Sequence, residues 1–332
     1  MAFTRTATDQ DLDEIEALAR ADDFAPLRYL AMFGSPVGGE LAALAAQRVQ
    51  RSGHLVVTGA TAITGAAGVA EVPYLAEHFG VPFRHIGPVV TADPEPGLRA
   101  PIVSELLAEI VAEPDGGVPR LDVLRVEADD LGCYHAAIAN GFLPYETTLT
   151  WVNDLERVHL NPPKTSWPDI EVMRIGIDEA PSEDALAGLR GGGALIAGDH
   201  YHNDPRLDSA RAASLYERWL DRGLKGDGSD VAVLRYHEGA LIGIGLWTKW
   251  RDLEPFGVSM VGNGFGFRAG WAPPGTTQDF SSIVCNRPLL DNRLLEWSTQ
   301  ATNYPMANMI SREPSIRLCR TSHVLHRWSD HP

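Results

Sequence analysis

LLEWSTQATNYPMANMISREPSIRLCRTSHVLHRW, residues 294–328, is the stretch on which the reading of this chain turns. Residues 294–298 are apolar and read as a strand. Thr299, Gln300, Ala301, Thr302 and Asn303 then supply turn-forming side chains. A short helical stretch follows, and residues 321–328 read as a second strand. The same order, in a shorter version, recurs at residues 124–151, LRVEADDLGCYHAAIANGFLPYETTLTW. One chain therefore carries two strand–turn–helix–strand closures.

Working outward, each closure is preceded by a similar series of elements. In the first half, residues 2–5 predict a short strand. Thr6 to Asp9 supply capping residues for a helix with Leu12, Ile15, Leu18 and Ala19 on one face. A second helix is expected over 40–50, strands over 54–58 and 84–90, a helix over 102–112, a strand over 121–126, a helix over 131–139 and a closing strand over 146–151. Residues 153–169, NDLERVHLNPPKTSWPD, hold Pro162, Pro163 and Pro168 and break both periodicities. The order then restarts: a strand over 170–174, helices over 183–189 and 209–222, a strand over 231–236, a hairpin tip at Glu238-Gly239, and strands over 241–249 and 258–268. The expected architecture is α/β of the α+β kind. Two tandem domains, each a mixed, mostly antiparallel sheet flanked by helices, occupy 1–153 and 169–332, with a linker at 154–168.

Composition limits the partners. The chain has 332 residues, 44% hydrophobic and 22% charged, with a net charge of −16. A strongly acidic protein lacks the basic face that nucleic acid or an anionic membrane requires, so neither is an expected partner. A nucleotide-like ligand needs only a local cradle of backbone N–H groups and stays compatible. The three cysteines, Cys133, Cys285 and Cys319, are odd in number and contain no CxxC pair. That fits a reducing compartment, and the acidic, amphipathic N-terminus has no apolar leader region, so a cytoplasmic location is expected.

Several residue groups could carry chemistry. VVTGATAITGAAG, residues 56–68, has the glycine content of a dinucleotide turn, but it leads into another strand, and no Tyr-x-x-x-Lys occurs in the chain. His200, His202 and Asp204 could ligate a metal; without an obvious third ligand, a loop entering a helix is the better reading, and no metal is expected. Trp247 and Trp250 are three apart, so both cannot face one side of a regular strand. Core packing claims most tryptophans, but one of this pair could line a substrate pocket. Glu296, between Leu295 and Trp297, is placed either to take a proton from an amine or to face solvent.

Taken together, TRTATDQDLDEIEALA, VEADDLGCYHAAIANGFLPYE with its Gly141-Phe142, and STQATNYP through VLHRW resemble a tandem member of the GCN5-related N-acetyltransferase superfamily. The second half is similar to acetyltransferases of nucleotide-linked amino sugars, with GDHYHNDPRLDSARAASLYERWLDRGLKGDGSDVAVLRYHEGALIGI resembling their substrate-side helix and hairpin. The resemblance implies acetyl-CoA or another acyl-CoA as co-substrate and a small-molecule amine as acceptor; it does not fix the oligomeric state. It places the segment of His200, Tyr201 and His202 beside the acceptor. It places Thr299 and Asn303 where two strands part to admit the pantetheine arm. It places the pyrophosphate loop at residues 93–101 in the first half, and at Gly275, Thr276 and Thr277 in the second.

The chain also departs from that pattern. The first loop contains Pro96 and Pro101 beside Gly97 and Arg99, and the second contains two prolines; proline lacks the N–H that such a loop offers. The tyrosine that protonates the departing thiolate in many members is Ala137 in the first half and Ile310 in the second. Two functional readings follow: an acyl-CoA-dependent N-acyltransferase acting through the second half, with Glu296 or one of His200 and His202 as base, or a protein of the same fold that has given up acetyl-CoA for another reaction or for ligand binding alone.

Overall fold

The computed structural model describes residues 3–22, 27–33, 54–112, 117–156, 170–175, 183–190, 198–225, 230–237, 240–269, 292–313 and 315–330. The expected helix at 40–50, the hairpin tip at Glu238-Gly239 and most of the 154–168 linker lie outside them. The chain folds as two compact units. The first is Met1–Thr148 together with Arg320–Pro332, and the second is Leu149–Cys319. The expected division was contiguous; here the first unit takes in a segment from much later in the sequence.

The first unit contains β1 (Phe3–Thr6), α1 (Leu12–Ala21), β2 (His54–Gly59), β3 (Ile63–Glu71), α2 (Pro73–Phe79), β4 (Phe83–Thr91), α3 (Pro96–Ala112), β5 (Leu121–Glu127), α4 (Leu131–Ala139) and the start of β6 (Leu143–Asp154). Its late segment is the second part of β12 (Ile316–Trp328). The strand order is β1-β2-β3-β4-β5-β12-β6. Neighbours from β1 to β4 are antiparallel, β4 and β5 are parallel, and β12 runs antiparallel to β5 from Ser322↔Glu127 to Trp328↔Leu121.

Alternation of side chains gives this sheet two apolar faces. On one, Ile15, Leu18 and Ala19 of α1 cover Leu55, Val57, Ala66 and Val90. On the other, Val103, Leu106, Leu107 and Ile110 of α3 and Cys133, Ala136 and Ala137 of α4 cover Val56, Ala67, Ile86, Leu124, Val126 and Leu325. The glycine-rich run at 56–68 forms an antiparallel β2–β3 hairpin, the strand-to-strand passage expected of it. Its glycine content has a packing cause: a Cβ on Gly65 would come 2.5 Å from Ile102 Cγ2, so α3 can lie on the sheet only if that side chain is missing.

The second unit holds the end of β6, then β7 (Ile170–Ile175), α5 (Glu183–Arg190), α6 (His200–Asn203), α7 (Ser209–Leu224), β8 (Val231–His237), β9 (Ala240–Lys249), β10 (Met260–Arg268), β11 (Leu294–Gln300) and α8 (Tyr304–Ile310). The order is β6-β11-β10-β9-β8-β7. β7 to β10 pair antiparallel with their neighbours, and β10 pairs parallel with β11. Leu186 and Leu189 of α5 and Tyr216, Leu220 and Leu224 of α7 pack on Ile242, Ile244 and Leu246. The opposite face holds Trp151, Trp247, Leu295 and Trp297 with Met309 and Ile310 of α8. Both units are mixed, mostly antiparallel sheets flanked by helices, as the repeat predicts. Among the described residues, no helix is long and apolar enough to cross a membrane.

One boundary needs correction. The loop expected over 93–101 is shorter, because α3 begins at Pro96. Proline at the first helical position loses no intrahelical donor and has a preset φ. Pro101 also lies within the helix, which continues past it without the bond that an N–H at 101 would make to Gly97 O.

Candidate functional site

In each unit a parallel pair starts side by side and then parts. β4 and β5 keep register from Phe83↔Leu121 to Ile86↔Leu124, although the strands continue to Thr91 and Glu127. β10 and β11 part sooner, after Met260↔Leu294 and Val261↔Leu295, and continue to Arg268 and Gln300. Two parted strands expose backbone donors and acceptors to whatever lies between them.

Glu296 is the first residue of β11 beyond the last rung, and it is only 6% exposed. Alternation turns it away from the core of Leu295 and Trp297, toward the face that carries α5 and α7. Opposite it stands Gly262. A Cβ there would lie 2.7 Å from Trp250 Nε1, 3.0 Å from Glu296 Cβ and 3.1 Å from Glu296 Oε1. Trp250 and the Glu296 carboxyl therefore converge over one bare backbone position. Next to it β10 bulges: register passes from Gly262↔Thr248 to Phe265↔Leu246, so Asn263 and Gly264 share Trp247 as partner. A bulge withdraws one residue's backbone groups from the ladder. Thr150 and Ser298 extend the polar floor, with their hydroxyls 3.0 Å apart. Cys319 also lies within electrostatic range of Glu296, and its thiol is pushed up to about 11, first by burial.

The two tryptophans separate as strand geometry requires. Trp247 is 2% exposed and meets Trp297 edge-on at 5.7 Å, inside the core on the side away from Glu296. The structure thus removes Trp247 from the expected pocket lining and leaves Trp250, which caps the 3-10 turn Arg251–Phe256 beyond the end of β9.

His200, Tyr201 and His202 form the single turn α6, and Asp199 organises them. Its Oδ1 accepts from the His202 N–H at 2.8 Å and is 2.9 Å from His202 Nδ1, while its Oδ2 accepts from the Tyr216 hydroxyl. His200 and Tyr201 are buried, their rings 3.8 Å apart. His202 retains partial exposure. Residues two apart on a helical turn point in different directions, so the two imidazoles do not converge as they would on a strand. Among the described residues, no group of His, Cys, Asp or Glu is arranged to hold a metal. The turn stands near the end of β11: a Cβ on Gly198 would lie 3.4 Å from Thr302 Oγ1. At that end Asn303 caps α8 through Met306 N–H at 3.4 Å, and its Nδ2 donates to Thr299 Oγ1 at 3.0 Å. Thr299 and Asn303 build the turn. Gly275, Thr276 and Thr277 lie outside the described residues.

The first unit's equivalent loop is filled. Arg99, 1% exposed, projects from the first turns of α3. Its guanidinium meets Asp22 at 2.6 Å and Asp130 at 2.7 Å and donates to Thr91 Oγ1 at 2.6 Å. Burial alone would lower its pKa; the two carboxylates more than offset that and hold it above the ordinary value. Asp130 is at the same time the N-cap of α4, accepting from Cys133 N–H at 2.9 Å. Ala137 and Ile310, at the positions of the expected tyrosine, are both fully buried in apolar cores.

Sequence reasoning missed Asp199, Gly262 and the Arg99 cluster. Asp199 carried a readable signal, as an Asp opening a helical turn. Asp22, Arg99 and Asp130 are too far apart in sequence for spacing to reveal them.

No family model matches the chain, and no curated protein sequence matches it. Solved structures do. A GCN5-related N-acetyltransferase from Sphaerobacter thermophilus aligns over 99% of this chain and 96% of its own, with a TM-score of 0.57 at 13% identity. A tandem GNAT protein from the clavulanic acid biosynthesis pathway aligns over 100% of both chains, with a TM-score of 0.53 at 13% identity. At such identities the likeness concerns architecture, and across its whole length the chain has the fold of the GCN5-related N-acetyltransferases in tandem arrangement.

Proposed function

We propose that the second unit is an acyl-CoA-dependent N-acyltransferase, using acetyl-CoA or another acyl-CoA and the amine of a small molecule such as an amino sugar or a specialised metabolite, in the cytoplasm. The observation that carries this reading is the early parting of β10 and β11 with the buried Glu296 carboxyl above Gly262. The pantetheine arm lies between the parted strands beside Thr299 and Asn303, and backbone N–H groups of residues 275–277 receive the pyrophosphate. Glu296 takes a proton from the acceptor ammonium, directly or through a water. The amine nitrogen then forms its bond to the thioester carbon. A backbone donor at the Asn263-Gly264 bulge holds the developing oxyanion. The carbon–sulfur bond breaks, the nitrogen gives up its second proton on becoming an amide, and the thiolate takes up a proton in exchange, directly or through water, and leaves as CoA. Trp250 provides an aromatic wall for the acceptor, and His202, oriented by Asp199, stands at its entrance. The first unit is the degenerate partner of this pair.

The alternative, the same fold without acetyl-CoA, is favoured by Ile310 in the tyrosine's place and by the filled loop at Arg99. Calorimetric titration with CoA and acetyl-CoA separates the two. Binding that also raises the melting temperature is expected; absence of binding at millimolar CoA defeats the transferase reading. In a binding-competent enzyme, Glu296→Gln should lower turnover by about 10²-fold or more, the scale of general-base loss, while CoA affinity stays within about twofold. Full turnover in that variant removes Glu296 from the chemistry.

A further inference from the structure

We infer, on the transferase reading of the second unit, that Asp199 and His202 form its specificity element: a fixed lone pair that accepts from a hydroxyl of the acceptor, which is therefore a hydroxyl-bearing amine. The carboxylate of Asp199 is 1% exposed, and three groups donate to it: His202 N–H, His202 Nδ1 and the Tyr216 hydroxyl. A carboxylate has no proton to give. In the neutral imidazole Nδ1 therefore carries the hydrogen, and Nε2 carries the lone pair. Among the described residues nothing bonds to Nε2, and solvent reaches the side chain, which is 17% exposed. A flip of the ring would break its bond to Asp199. The Tyr216 ring flanks it, 18° from parallel with centroids 6.3 Å apart. The turn itself is closed twice by Asn203, whose Nδ2 donates to Gly198 O at 3.0 Å and whose N–H donates to Asp199 O at 3.0 Å. The lone pair is thus held in place before any ligand arrives.

Its place ties it to the reaction. Glu296 projects toward the sheet face that carries α5 and α7, and Tyr216 of α7 holds Asp199 on that same side. Gly198, next to Asp199, abuts Thr302 just past the end of β11. His202 therefore stands on the Glu296 side of the sheet, toward the end of the strand that carries Glu296. With the reacting amine at Glu296, another part of the acceptor meets His202. A lone pair selects a donor. An apolar group would leave it unpaired, and an anion would find a neutral ring without a proton to offer and the Asp199 charge behind it. A second ammonium could donate, but at so enclosed a side chain it would give up more hydration than a hydroxyl does. A hydroxyl pairs with Nε2 and leaves the bond between Nδ1 and Asp199 intact.

The tautomer is read first, without ligand, from the nitrogen NMR shifts of histidine-labelled full-length protein at about pH 8.5, where an ordinary imidazole is neutral. His202 should carry its hydrogen on Nδ1; a hydrogen on Nε2 overturns the lone-pair site. Turnover with acetyl-CoA is then compared for glucosamine and for cyclohexylamine, a ring amine without hydroxyls. Wild type should favour glucosamine in kcat/KM. His202→Phe keeps an aromatic ring without the lone pair, and it should cut the ratio of glucosamine to cyclohexylamine kcat/KM by about tenfold, the scale of one hydrogen bond, mainly through the KM for glucosamine. Asp199→Asn serves where His202→Phe fails to fold. It keeps a cap for the turn but weakens the hold on Nδ1–H, so the share of the Nε2–H tautomer should rise and the preference for glucosamine fall with it. A turn that only supports the fold would lower both acceptors alike in these variants, and that result overturns the site. So does a wild type that binds CoA without favouring glucosamine, or that favours a cyclohexane diamine over it. Failure to bind CoA at millimolar concentration defeats the transferase reading and this inference together, whereas the other results defeat the inference alone.

Discussion

Arg99→Met tests whether the cluster at the start of α3 is an ionic plug. The substitution keeps the bulk of the side chain and removes the cation between two carboxylates whose side chains are 0% and 4% exposed, Asp22 and Asp130. Breaking a buried ion pair from one side costs about 3–5 kcal/mol, because the charge left behind has neither solvent nor partner. For a unit of this size each kcal/mol moves the melting temperature by about 2–4 °C, so a fall of about 6–20 °C is expected at pH 7. The sign of the pH dependence follows from burial, which already pushes the Asp130 carboxyl above its ordinary value. Without Arg99 the Asp130 carboxyl holds its proton more tightly in the folded state than in the unfolded one. That carboxyl's contribution to the variant's stability is therefore fully present at low pH and is lost as pH rises through the raised folded pKa. The deficit relative to wild type should be larger at pH 7 than at pH 5. Hydrogen exchange of peptides from α3 and β4 assigns the loss to the first unit. Asp22→Asn and Asp130→Asn, added together, remove the stranded charges while keeping acceptors for Thr91 N–H and Cys133 N–H, and should recover most of it. A melting temperature within about 2 °C of wild type, or a deficit independent of pH, refutes the reasoning.

Three further outcomes are open to measurement. Gly264→Ala would place a Cβ 2.3 Å from the Trp247 ring, which Trp297 holds in the core, so a loss of about 1–3 kcal/mol is expected in chemical denaturation; Gly266→Ala, whose Cβ would lie 3.4 Å from Ile244 O, is the control. Equal stability of the two variants would mean that Trp247 moves freely. Cys133 is buried and its thiol is pushed far up by burial, whereas Cys319 is pushed only to about 11, so peptide mapping after alkylation at pH 7.5 should find Cys133 unmodified and Cys319 slow, its rate climbing about tenfold per pH unit up to pH 10. Rapid modification of Cys133 in folded protein contradicts its placement. Removal of residues 320–332 strips β5 of its antiparallel partner and should give an aggregating protein that a peptide of residues 316–332 rescues; a well-behaved truncated monomer shows the pairing to be dispensable.

Local pattern carried much of this structure. The apolar spacing of Leu12, Ile15, Leu18 and Ala19 anticipated the buried stripe of α1, and α4 runs over the residues its periodicity marked. Glu296 stood out as a carboxylate between two apolar strand residues, and it occupies the point where β10 and β11 part. Pro96 misled as a loop marker because the same fixed φ that ends one helix starts another. The destination of residues 321–328 was not legible at all. Their strand pattern is local, but their partner is β5, almost two hundred residues earlier in the chain, and periodicity carries no information about which edge a strand will join. The Arg99 cluster escaped for the same reason.

That late partner imposes an order in time on the making of the molecule. When the ribosome has completed Thr148, the first unit has all of its helices but lacks the strand that lies between β5 and β6. The whole of Leu149–Cys319 must be synthesised before that strand emerges, which at about 5–20 residues per second is a delay of roughly ten to thirty seconds. Throughout that interval β5, with Leu121, Val123, Leu124 and Val126 along it, is an unpaired apolar edge. The unit made first is thus among the last to close, and the nascent chain should depend on holding factors in the cell for longer than a protein of two self-contained repeats.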